Sequence, residues 1–80
     1  MNRGVVGELK GSNSKVYYGL RRLWAVGKME NDIVDLCDLG YEVRNLSTRE
    51  IRKSLEYLDS IGIIMYKCTD EWDKVIVKIL

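Results

Sequence analysis

Leu46 to Ile64, LSTREIRKSLEYLDSIGII, carries a helix start, a two-faced helix body and a glycine stop that runs into strand. Ser47 followed by Glu50 has the spacing of a capping box, in which the hydroxyl takes the amide of the third helical residue and the carboxylate reaches back to the amide of the capping residue. A helix is therefore expected to start at Ser47. Ile51, Leu55 and Leu58 then recur at helical spacing, with Ser54 and Ile61 at the margins of the same face. A rotation of about 100° per residue puts Arg49, Lys53, Glu56 and Ser60 on the opposite side and Arg52 on its flank. Gly62 supplies the left-handed residue that ends a helix, and Ile63, Ile64, Met65 and Tyr66 begin an extended run.

Around this stretch the chain has 80 residues, 46% of them hydrophobic and 31% charged, which suits one small domain with a single modest core. A net charge of +1 says nothing about nucleic acid, but the charges are unevenly placed. Arg44 to Lys53 holds four cations and one anion, whereas Glu30 to Glu42 holds five anions and no cation. The two segments are electrically opposite.

No apolar run approaches the roughly 20 residues of a membrane span, and the first residues, MNRGVVGELKG, lack the apolar core of a secretory signal. A cytoplasmic protein is expected. There is no histidine, and Cys37 and Cys68 form no CxxC pair, which removes zinc fingers, Ser-His-Asp and Cys-His nucleophile systems and most catalytic metal sites. Both cysteines are expected to be buried as small hydrophobes. The acids show no paired arrangement suited to catalysis, so neither an enzyme nor a bound cofactor is indicated.

In chain order, residues 1–13, with Gly4, Gly7 and Gly11 among Val5, Val6 and Leu9, read as an N-terminal arm ending in a turn cluster of N-cap candidates. Residues 14–80 form the domain. Lys15 to Lys28 reads as a first helix with Val16, Leu20, Leu23, Trp24 and Gly27 on one face, and Gly19, which costs it about 1 kcal/mol relative to alanine, signals close packing. A short acidic second helix is expected, capped by Asn31 or Asp32, containing Ile33, Val34, Leu36, Cys37 and Leu39, and stopping at Gly40. After the third helix, Ile64 to Cys68 and Lys74 to Leu80 alternate as strands around a Thr69–Asp73 loop. The expected class is mainly α with a small β-hairpin, an α+β fold of three helices followed by a two-stranded antiparallel wing.

That order, with the run STREIRKSLEYLDSIGII at its centre, resembles the winged helix-turn-helix family of DNA-binding domains over roughly Ser14 to Leu80. The capped basic helix and the glycine entering a hairpin look like the recognition helix and first wing strand of bacterial and archaeal transcription regulators. The resemblance implies a small transcription regulator of prokaryotic, archaeal or viral type, acting in the cytoplasm (the host's, if viral) on double-stranded DNA. It also implies that the leading turns of the third helix enter the major groove, where helix-end amides favour phosphate and side chains meet base edges. The residues so placed are Ser47, Thr48, Arg49, Arg52 and Lys53, with Arg44 and Asn45 beside the backbone and Lys67 and Lys74 as phosphate contacts from the wing. Arg49 is the one best placed for a guanine edge. Ser47 is expected to be occupied by capping.

A homodimer is expected, since pairing two recognition helices multiplies affinity and specificity; the arm and the first helix are candidate surfaces. The alternative is a winged-helix protein-interaction module without nucleic acid, favoured by Asp70, Glu71 and Asp73 at the wing tip and by the acidic second helix, with Trp72 as its contact. Packing of Trp72 on its own sheet competes with that contact. Tyr17, Tyr18, Trp24 and Tyr57, at helical spacing, read as core or interface. Another competing reading treats Arg49, Arg52, Lys53 and Glu56 as a solvated face of mixed ion pairs.

Overall fold

The computed structural model describes residues 11–80. In chain order these form α1 (Gly11–Ala25), a short 3-10 turn (Glu30–Asp32), β1 (Ile33–Asp35), α2 (Leu36–Val43), α3 (Thr48–Ser60), β2 (Ile64–Cys68) and β3 (Lys74–Ile79). The three helices pack on one another and on one face of a three-stranded antiparallel sheet of order β1-β3-β2. The α+β class is as expected. Residues 1–10 of the expected arm lie outside the described residues, and residues 11–13, assigned to that arm, belong to α1.

α1 buries Val16, Tyr17, Leu20 and Leu23, one stripe at helical spacing. It ends where Gly27 takes φ +78° and Lys28 N–H returns to the Leu23 carbonyl, so Gly27 is the stop and not part of the apolar face. Trp24 also leaves that face and is 65% exposed. Gly19 behaves as its cost suggests. A Cβ there would stand 2.8 Å from Val43 Cγ1 and 3.2 Å from Leu39 Cδ1, so α1 and α2 touch where the side chain is missing.

The expected second helix is corrected at both ends. Ile33 to Asp35 is extended and pairs with β3 in the register Ile33↔Ile76, Val34↔Val75, Asp35↔Lys74, so the sheet has a third strand beyond the hairpin. Neither Asn31 nor Asp32 caps a helix; both take positive φ in the turn before β1. Asp35 is the cap, its carboxylate accepting from Cys37 N–H at 2.8 Å. The helix does not stop at Gly40 but runs to Val43, whose side chain is buried. Inward-facing Leu36, Leu39 and Val43, at helical spacing, keep the last turn wound, and each such buried side chain stabilises by about 1.5–3 kcal/mol.

α3 follows its sequence closely. Glu50 N–H donates to Ser47 Oγ and Ser47 N–H to Glu50 Oε1, both at 3.1 Å, which is the reciprocal capping box. Ile51, Leu55 and Leu58 are buried with Val34, Ile63, Ile64, Val75 and Val77 in the common core. Ser54 is buried too, donating to Ser12 Oγ on α1 at 3.3 Å. Gly62, at φ +81°, ends the helix, and Ile63 N–H returns to the Leu58 carbonyl. The β2–β3 hairpin then closes through the Thr69–Asp73 loop, where Thr69 Oγ1 donates to the Lys74 carbonyl at 2.8 Å.

Candidate nucleic-acid interface

The leading end of α3 is held rigidly from both sides. Behind it the capping box satisfies two amides that a helix end otherwise leaves open, and inside it Ile51 and Leu55 anchor the first turns to the core. Thr48, Arg49 and Lys53 are exposed on the outer side. Arg49 and Lys53 are one turn apart on a single face, and neither has an ion pair or a side-chain hydrogen bond among the described residues. The mixed ion pairs with Glu56 do not form. What remains at this end is a pair of solvated cations on a fixed frame.

Arg52 has a different role. It is half-buried and turned toward the hairpin, where its guanidinium donates to Tyr66 Oη at 3.3 Å, lies 3.8 Å from Cys68 Sγ, and donates to the Trp72 carbonyl. This side chain ties the second turn of α3 to the loop of the hairpin. Burial, and then the Cys68 thiol at 3.5 Å, push the Tyr66 phenol up, so it stays a neutral hydrogen-bonding group.

Arg44 and Asn45 form the corner that leads into α3, both exposed and both at positive φ, +43° and +57°. Together with Tyr41, which is 82% exposed, they bound a shallow depression beside the leading end of α3. Tyr41 is a polar aromatic of this surface that the sequence does not single out. An expected stop at Gly40 hides it, whereas the last turn of α2 carries it.

The two expected wing cations separate. Lys67 is exposed on the strand face beside Ile76, whereas Lys74 lies between Asp35 Oδ2 at 3.5 Å and Glu71 Oε2 at 3.7 Å. Asp73, then Asp35 and Glu71, hold its ammonium pKa above the ordinary value. On the other side of this pair, the Cys37 N–H and then Lys74 outweigh a small desolvation and keep the Asp35 carboxyl below its ordinary range. Two of the three acids of the α2 region are thus engaged locally, Asp35 with its cap and Lys74 and Glu42 with Arg22 Nε at 2.8 Å, while Asp38 has no side-chain partner among the described residues.

Both cysteines are exposed and free, not buried as expected, because Cys37 lies on the outer side of the first turn of α2 and Cys68 ends edge strand β2. The negative charge of Asp35 raises the Cys37 thiol pKa. Trp72 does not pack on its own sheet; it is 71% exposed at the hairpin tip. Of the aromatics expected in core or interface, Tyr17 is buried, while Tyr18 and Tyr57 are exposed like Trp24. No group of His, Cys, Asp and Glu suited to a metal ion occurs among the described residues, and no helix there is long and apolar enough to cross a membrane. Comparison with known proteins finds no matching family model, no matching curated protein and no matching solved structure.

Proposed function

We propose that the protein is a sequence-specific double-stranded DNA-binding domain of winged-helix type, acting as a small transcription regulator. In this reading α3 is the recognition helix, β2 and β3 are the wing, and β1 is the strand that fastens the wing to the helices. The observation that carries the reading is the contrast among cations. Arg22, Arg52 and Lys74 are engaged by groups of the fold, while Arg49 and Lys53, with Arg44 and Lys67 nearby, have no side-chain partner among the described residues, and Arg49 and Lys53 stand one turn apart on a helix end closed by the capping box. A pair of cations at that spacing suits a base edge and the neighbouring phosphate, and the helix-end partial charge adds to the attraction.

Thr48, Arg44 and Asn45 flank this end and serve as backbone contacts. Ser47 keeps its hydroxyl on the cap, and Lys67 is the wing cation left for a phosphate. Equilibrium binding to duplexes selected from a random pool, followed across salt concentration, tests the proposal. Binding is expected to weaken steeply, by roughly one unit of log–log slope per phosphate neutralised. Absence of selected duplexes at low salt rejects it. The second reading, a protein-interaction module, is favoured by one observation: Trp72, exposed among Asp70, Glu71 and Asp73, is an aromatic anchor in a setting that repels phosphate.

A further inference from the structure

The last turns of α1, the turn before β1 and the end of β3 meet around a hollow that DNA contact through α3 does not use. On α1, Tyr17, Arg21 and Trp24 recur at helical spacing, a second stripe beside the core stripe of Val16, Leu20 and Leu23. β1 pairs with β3 only as far as Ile33↔Ile76, whereas β3 runs on to Ile79, so the sheet is open on that side of its last residues. The chain entering β1 supplies Met29 and Asp32. Together these pieces bound about 390 Å³, within the roughly 300–1,000 Å³ of small-molecule sites.

The lining divides into an apolar and a charged part. Tyr17 and Met29 present buried side chains to the hollow, Ile79 and Leu80 extend that wall, and Trp24 lines it although most of its own surface is exposed. Arg21 and Lys78 are the cations and Asp32 is the one acidic side chain. None of the three has an ion pair among the described residues. The Arg21 guanidinium is steered instead by Tyr17, whose hydroxyl accepts from Nη1 at 3.4 Å and whose ring centroid lies 5.9 Å from Cζ. The other N–H groups of that fork have no partner among the described residues. The backbone adds a further pair of polar groups. Leu80 N–H donates to the Ile63 carbonyl on the β2 side, and the Asp73 carbonyl accepts from Leu36 N–H on the β1 side. By the alternation of an antiparallel ladder, the N–H and C=O of Ile79 therefore point to the β1 side, past the end of β1, where no described residue pairs with them.

We propose that the hollow is a binding site for a small aromatic carboxylate, with its ring between Trp24 and the wall of Tyr17, Met29 and Ile79 and its carboxylate on Arg21 and Lys78. Two cations against one acid leave a single positive charge, which suits a monoanion. The planar guanidinium matches the planar carboxylate, and the aromatic walls match a flat apolar body. The site takes no residue from α3 or from the hairpin tip, so its failure leaves the DNA reading standing, and failure of the DNA reading leaves the site.

Titration of the full chain with 3-phenylpropionate tests it, with 3-phenylpropionamide as the uncharged probe of the same shape. The chain has two tryptophans, Trp24 and Trp72, so their indole N–H resonances report both affinity and place. The Trp24 signal, identified by its loss in Trp24→Phe, is expected to shift and saturate below about 10 mM, in keeping with a ligand of this size, while the Trp72 signal stays. The amide is expected to bind at least about fivefold more weakly. Arg21→Gln and Lys78→Gln are each expected to weaken carboxylate binding by a similar factor, with thermal unfolding showing that each is folded; Lys78→Gln, at an exposed strand position, decides the matter if Arg21→Gln unfolds. No saturation by about 10 mM, an amide that binds as well as the carboxylate, undiminished binding by the folded variants, or a shift at Trp72 with Trp24 unmoved overturns the proposal.

Discussion

The first two turns of α3 and the tip of the β2–β3 hairpin are both exposed and strongly charged, and Arg52 bridges them, yet their charges do opposite things. At the tip, Glu71 is engaged with Lys74, the Thr69 hydroxyl is engaged with the chain around it, and the Asp73 carbonyl accepts from Leu36 N–H at the start of α2. On α3, Arg49 and Lys53 hold nothing in place among the described residues. Several groups of the tip serve the fold; the two cations on α3 are engaged by no group of it among the described residues. Residue type does not distinguish Arg49 from Arg52, and the position of the hairpin does.

The strongest way to break this contrast is to remove the two unengaged cations. Arg49→Ala with Lys53→Ala is expected to lower duplex affinity about 100-fold or more, at roughly 1–3 kcal/mol per base contact. Stability should stay within about 0.5 kcal/mol of the parent, as for surface positions without partners. Undiminished duplex binding by the double variant would place the reading surface elsewhere. Next in size is the converse change, Arg52→Ala, which removes a charged donor from Tyr66 and the Trp72 carbonyl. It is expected to destabilise by roughly 1–2 kcal/mol after allowance for partial exposure, a drop of about 4–8 °C in melting temperature per kcal/mol in a domain this small. Equal melting of Arg52→Ala and parent would dissolve the contrast from the other side.

How far the sequence shows this arrangement depends on the distance over which each feature is decided. The cap at Ser47, the stop at Gly62 and the Thr69–Asp73 loop are set by residues within a turn of one another, and all three are legible. β1 is not, because Ile33, Val34 and Asp35 are too few to separate period two from the helical period. What makes them strand is Val75 and its neighbours, far along the chain. The same holds for the site. Exposure of Arg49 and Lys53 follows from helix rotation alone, whereas the engagement of Arg52 and Lys74 needs the hairpin and β1 already in place. Cys68 is exposed because β2 is an edge strand, which no local pattern around it announces.

Two smaller effects sharpen the comparison within the frame. Ser47→Ala removes one arm of the capping box and is expected to destabilise by about 1 kcal/mol, with faster amide exchange at Glu50, while Ser47→Asp retains the protection. The smallest effect is acid dependence through Asp35. Its carboxyl pKa is lowered in the folded chain by the Cys37 amide and Lys74, so the unfolded chain binds the proton more readily. The stability it contributes is present at neutral pH and is lost as the pH falls through that lowered value. Asp35→Asn should flatten the acid side of the stability curve by some tenths of a kcal/mol, in line with an exposed pair. Urea unfolding between neutral pH and about pH 3 reads the difference, and parallel curves would remove Asp35 from the set of groups that hold the fold.

The gap at Gly19 gives the interface a lever on the far side of the molecule. Val43, the side chain that closes against that gap, is the last residue of α2, and the next two residues are the left-handed corner from which α3 departs. A methyl group at position 19 must push Val43 aside, and the corner is the first piece of chain to feel the push. Gly19 thus leaves room for the residue on which α2 ends, next to the corner that leads into α3, and Gly19→Ala is expected to displace the Val43 and Leu39 side chains without altering any residue on the surface of α3.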